Sequence, residues 1–198
     1  DMKISLELQL GALKKSMEYR ADIPNFLEPW YGIGTVASAF GAPYVWKEGQ
    51  APAVEGQFKT ARSAIDACQT SIAESPIGKH VLAMIEYFLD QTKGKLPISL
   101  SDTQSPLNIV SSYLMDSSAF MFELFDHPDD LKELIMMVGE MESEFLVAQK
   151  KLIGDALAKP GHGFASCRVF DGVGFSDDNI LMFSDDDYKN LAVPAMLK

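Results

Sequence analysis

The chain has 198 residues, of which 47% are hydrophobic, enough to bury a core as one domain spanning 1–198. Its formal charge of −11 repels nucleic acid and anionic membrane surfaces, so the partner it points to is a small molecule. Charged residues interrupt every apolar run well short of the roughly 20 residues a membrane span needs, and no basic leader precedes a cleavage site, which reads as a soluble, cytoplasmic protein.

Taken in chain order, Ile4 to Met17 place Ile4, Leu6, Leu10, Leu13 and Met17 mainly on one helical face, predicting an amphipathic helix against a core. A strand from Ile23 to Leu27 follows. Thr35 to Phe40 reads as a short helix, Tyr44 to Trp46 as a brief strand, and Lys47 to Gln57 as loop. Ser75-Pro76 starts a helix that Ile77 to Thr92 continues until Gly94.

Leu96 to Leu100 reads as a buried strand, and Ser105-Pro106 repeats the helix-start chemistry for Leu107 to Tyr113. Asp116 caps a helix through Phe125, and the longest helix runs from about Asp129 to Leu157. After Lys159-Pro160-Gly161 a further strand approaches Ser176 through Gly172-Val173-Gly174-Phe175, and Ser184 caps a terminal helix whose first turn is acidic. Strands alternating with helices, and too far apart for hairpins, predict an α/β fold with parallel strands and crossover helices.

Polar residues gather where the apolar strands end, and in a (β/α) barrel that face carries the chemistry. Glu28, beside Trp30 and Tyr31, is a candidate proton donor, since an acid against aromatic surface resists ionisation; the competing reading is a solvated loop carboxylate. Asp102 is a second candidate, because Ser105 already fills the helix-cap position. Asp177 and Asp178 are the strongest pair. Adjacent residues on an extended segment point opposite ways, so at most one of the two faces a pocket while the other caps or faces water. Ser176 and Asn179 are assigned to substrate binding with Trp30 and Tyr31. His162, between two glycines, is the histidine freest to act; His80 and His127 read as helix residues. Cys68 and Cys167 fit neither CxxC nor a Cys/His ligand spacing, so no disulfide framework and no metal site are expected.

The strings FLEPWYGIGTVASAFG, GKLPISLSDTQSPLNIVSSYL, LFDHPDDLKELI and GVGFSDDNILMFSDDDYKNLAVP, in this order, resemble the uroporphyrinogen decarboxylase superfamily, which also contains zinc-dependent corrinoid methyltransferases. The resemblance implies a (β/α)8 TIM barrel, here incomplete and completed by another polypeptide segment or a homodimer partner. It also implies decarboxylation of a tetrapyrrole-like or carboxylated substrate as the default activity. The alternatives are a zinc-dependent methyl transfer from a methylcobamide, or a non-catalytic binding or assembly subunit. Glu28 falls near the early strand-end acid of the family, which in the decarboxylases is an Asp. Arg20, Arg62 and Arg168 do not reproduce the family's arginine motif. No cofactor is expected in this chain; zinc or a corrinoid would accompany methyl transfer.

Overall fold

The computed structural model describes residues 1–19, 25–159 and 172–197, which form two compact units. Seven α-helices run through the described residues: α1 (Met2–Glu18), α2 (Ala61–Ala67), α3 (Pro76–Thr92), α4 (Pro106–Ile109), α5 (Ser117–Asp126), α6 (Pro128–Ile153) and α7 (Asp185–Met196). The fold is mixed and mainly helical. Its two regular strands, β1 (Tyr44–Val45) and β2 (Ala53–Val54), form an antiparallel hairpin with Tyr44 opposite Val54. The predicted loop at Lys47 to Gln57 therefore contains a strand. Gly49, at φ +74°, supplies the left-handed turn residue that lets Ala53-Val54 fold back on Tyr44-Val45.

The first unit comprises residues 1–30, 80–102 and 147–174. Here the extended segments at Leu27, Ile98 and Leu157 lie side by side in parallel, with Ile98 in the middle. The amides of Leu27 and Ser99 pair with Pro97 and Leu27 carbonyls at 2.8 and 2.9 Å, and Ile98 exchanges two further bonds with Ala156 and Ala158. Leu27 and Ile98 are fully buried, as are Val81, Ile85 and Phe88 of α3. Parallel pairing of segments about 60 to 70 residues apart agrees with the crossover pattern in the sequence. It appears as single bridges, and the described residues do not form a barrel.

Helix α1 departs from expectation. Of its predicted apolar face only Leu6 is buried, while Ile4 and Met17 are 55% and 62% exposed. What fastens it is polar. The Gln9 carboxamide accepts from the Glu28 backbone N–H at 2.8 Å and donates to the Glu28 carbonyl at 2.9 Å, and Ser16 donates to the Asn25 side chain at 3.3 Å.

The second unit comprises residues 31–79, 103–146 and 175–198, described to 197. Helix α2, which the sequence reading missed, is short and begins in a Thr60–Ser63 capping box rather than with an apolar stripe. The Ala61 amide also donates to the buried Glu123 carboxylate at 2.8 Å. Helix α6 buries Leu131, Leu134, Ile135, Val138 and Phe145 at helical spacing and stops at Gly154, which takes φ +58°. Gly139 is where α7 comes close: a Cβ built there would stand 2.6 Å from the Ala195 carbonyl oxygen. Gly139→Ala is therefore expected to push α7 away and lower stability by about 1 to 3 kcal/mol, measured by urea denaturation.

Glu142 is one turn further along α6, 1% exposed, with neither carboxylate oxygen hydrogen-bonded. Burial raises its pKa well above the ordinary 4.5, so the folded protein keeps it protonated and neutral. The sign of the pH effect follows from that. Above about pH 4.5 the unfolded chain loses this proton first, so the contribution of Glu142 to stability falls as pH rises towards its folded value, by at most about 1.4 kcal/mol per pH unit. Glu142→Met is expected to remove this component: the stability difference between variant and wild type should grow in the variant's favour from pH 5 to pH 8, followed by denaturation at each pH.

Candidate functional site

The polar residues that end the strand-like segments are built into the structure differently in the two units. In the first, Glu28 and Asp102 both lie on the C-terminal side of the Leu27–Ile98 bridge, and both are half-buried. The Gln9 clamp fixes the backbone of Glu28, and Trp30 is 41% exposed. Beside them the Ser101 amide donates to the Gln149 side-chain oxygen at 2.8 Å, leaving the Ser101 hydroxyl and the Gln149 side-chain nitrogen buried without partners.

The second unit holds the denser constellation. Gln104 pairs in parallel with Ser176, and the Ser105 amide donates to the Ser176 carbonyl at 2.8 Å. Ser105 then caps α4, its hydroxyl accepting from the Asn108 amide at 3.1 Å, with Pro106 in the first turn. The chain continues into a widened π turn, Val110–Leu114, closed by the Met115 amide on the Val110 carbonyl. Such turns present neighbouring side chains that a regular helix would splay apart. Ser111 and Ser112 both accept from the Asn179 side-chain nitrogen, at 2.8 and 2.7 Å. The Gln104 side-chain oxygen accepts from Asn108 and from the Tyr113 hydroxyl, the latter at 2.9 Å.

Asp177 sits between the two residues, Ser176 and Asn179, that tie its segment to the other. One carboxylate oxygen accepts from the Tyr188 hydroxyl of α7 at 3.1 Å; the other is buried without a hydrogen-bond partner. Burial, and then the Asp177 charge, raise the pKa of the Tyr188 phenol, so it stays a donor at neutral pH. Ser184 and the acids of the first turn start α7, and Gly139 lets it pack closely. Those features place Tyr188.

The predicted residues divide accordingly. Ser176, Asp177 and Asn179 each bond to a different partner, Ser105, Tyr188 and the Ser111–Ser112 pair respectively, whereas Asp178 is exposed. Tyr31 packs edge-on against Tyr44 and Trp46, at ring-centre distances of 6.0 and 5.9 Å, and burial pushes the Tyr44 phenol up to about 12. His162 and Cys167 lie outside the described residues. Sequence reasoning did not single out Thr103, Gln104, Asn108 or Tyr188. For Thr103 alone a signal was present: hydroxyl residues recur at Ser99, Ser101 and Thr103 with the period of two of an extended segment.

Among the described residues no group of three His, Cys, Asp or Glu side chains stands close enough to hold a metal ion. Cys68 instead lies 3.8 Å from the Met141 sulfur, its thiol pKa raised by burial. These described residues do not fit a zinc ion. Arg62, exposed, is held by Asp130 at 2.6 Å and Glu133 at 2.7 Å. Among the described residues no helix is long and apolar enough to cross a membrane.

No family model matches the sequence, and no curated protein does. The fold is shared with a solved structure, a methyltransferase from Methanosarcina mazei, at a TM-score of 0.55 and 17% sequence identity. The match covers 64% of this chain and 37% of the methyltransferase, so the chain spans little more than a third of the length of that protein.

Asn179→Ala would leave the Ser111 and Ser112 hydroxyls without their shared donor. A loss of about 1 to 3 kcal/mol in urea denaturation is expected, together with faster amide hydrogen exchange at Ser176 and Asp177.

Proposed function

We propose that this chain belongs to a methyltransferase of the barrel type and holds a small polar substrate at the network joining Gln104, Asn108, Asp177 and Tyr188. The observation that carries this reading is the fold shared with the Methanosarcina mazei methyltransferase. The resemblance to a superfamily that contains methyltransferases points the same way, and the barrel is part of the proposal.

The chemistry asks little of the protein beyond positioning. In methyl transfer the bond from carbon to donor breaks with its electron pair staying on the donor, while a lone pair of the acceptor forms the new bond. A neutral acceptor must lose its proton. Asp177 is suited to take that proton, since its free oxygen can receive it while Tyr188 stabilises the other oxygen. The amides and hydroxyls around it orient the substrate through hydrogen bonds, and a fixed orientation is itself a large part of catalysis.

Decarboxylation of a carboxylated tetrapyrrole, the default drawn from the resemblance, would call for arginines to grip the carboxylates. Among the described residues the one arginine, Arg62, is already engaged by two acids, so no feature of the candidate site favours that chemistry. The two readings separate in one experiment. The protein is incubated with CD3-labelled methylcobalamin and a mixture of a thiol and a primary-amine acceptor, and in parallel with a carboxylated tetrapyrrole. Expected is a CD3-labelled thioether or amine formed above the buffer rate, with at least a tenfold loss of rate in Asp177→Asn, as seen by mass spectrometry. Release of carbon dioxide without methyl transfer would sink the proposal and restore the decarboxylase.

A further inference from the structure

The pairing of Gln104 with Ser176 fixes which side chains share a face. In a parallel pair the two bridged residues point to one side and their neighbours to the other. Thr103 and Asp177 therefore lie together on the face opposite Gln104 and Ser176. With strands about 4.8 Å apart and about 3.3 Å of rise per residue, the two Cα atoms are separated by roughly 8 Å. That spacing leaves room for one small group bridging the two side chains.

Both side chains are unsatisfied on this face. The Thr103 hydroxyl, on a residue 2% exposed, and the Asp177 carboxylate oxygen not bonded to Tyr188 are buried with no hydrogen-bond partner. Buried polar atoms are rarely left so, and an unpaired carboxylate oxygen is among the costliest to leave. Asp177 forms no ion pair with any described residue. A carboxylate oxygen can only accept, and the hydroxyl can accept as well, so the missing partner is a donor. The absence of a third acid or histidine nearby argues against a metal cation. An ammonium group carries both the charge and up to three N–H donors, and the −11 formal charge of the protein favours its approach.

We infer that Thr103 and Asp177 form the binding position for the ammonium group of a small primary amine. This inference names the ligand class of the site proposed above and rests on its substrate-binding role.

Ethylammonium chloride is the probe, titrated calorimetrically against ethanol and tetramethylammonium at constant ionic strength. Ethanol has the size without the charge, and tetramethylammonium has the charge without N–H donors. Saturable binding of ethylammonium is expected, with the other two at least tenfold weaker. Asp177→Asn should weaken ethylammonium at least tenfold, and Asp186→Asn, an exposed acid of the α7 first turn, by less than twofold. Thr103→Val removes an unpaired hydroxyl, so its melting temperature should hold or rise while affinity falls at least threefold; a purely structural threonine would not separate the two.

Equal binding of ethanol, or equal loss in Asp186→Asn, would overturn the inference. So would the absence of any binding, with Thr103→Val simply more stable, since that result assigns the position to water. The outcome is independent of the CD3-transfer assay. Methyl transfer without ethylammonium binding rejects the amine and keeps the enzyme; binding without transfer does the reverse.

Discussion

The parallel register that sets Gln104 against Ser176 determines the geometry of the whole candidate site. One backbone bond from the Ser105 amide to the Ser176 carbonyl does three things. It holds the start of α4, whose cap is the next group along the same residue. It places Asn179 within reach of both serines of the π turn. It also puts Asp177 on the same face as Thr103. A slip of one residue would reverse that face and strand every one of these contacts, because the side-chain period of an extended segment is two.

The protein carries an unusual load of buried polarity, and its distribution separates structural from functional use. Glu123, Ser75 and Ser105 are buried with their bonds made, to the Ala61, Gly78 and Asn108 amides respectively. They replace backbone partners missing at helix starts, as capping residues do. Thr103, Asp177, Ser101, Gln149, Asn108 and Glu142 retain an atom with nothing to bond. Glu142, Gln149 and Asn108 lie within helices, whereas Ser101, Thr103 and Asp177 lie at the ends of extended segments. A capping role accounts for the first group and not for the second.

Much of the helical framework was legible in the sequence because its signals are local. Ser75-Pro76, Ser105-Pro106, Asp116 and Ser184 each start a helix where capping chemistry predicts one, whereas α6 ends at Ile153, short of the expected Leu157, because Gly154 takes a left-handed φ. The exposure of α1 was not legible. An apolar face shows that a helix is able to bury that face, while the Gln9 clamp on Glu28 depends on residues 19 positions apart. In the candidate site, Ser176, Asp177 and Asn179 were singled out from their position after a strand-like segment, since strand ends deliver polar groups to a rim. Tyr188 was hidden because it reaches Asp177 across a turn and half a helix, a relation of space that no spacing rule encodes. Thr103 was hidden for a simpler reason: weight was given to the acid beside it.

The contact between α6 and α7 joins stability to the chemistry of the site. Ala195 approaches Gly139 closely enough to exclude any side chain, and Tyr188 is carried by the same helix as Ala195, two turns earlier. The helix that carries the Tyr188 hydroxyl to Asp177 packs on α4 as well as meeting α6 at Gly139. Glu142 follows Gly139 by three residues and shares the buried stripe of α6, where burial keeps it neutral. A leucine or methionine there would avoid the cost of removing a carboxyl group from water.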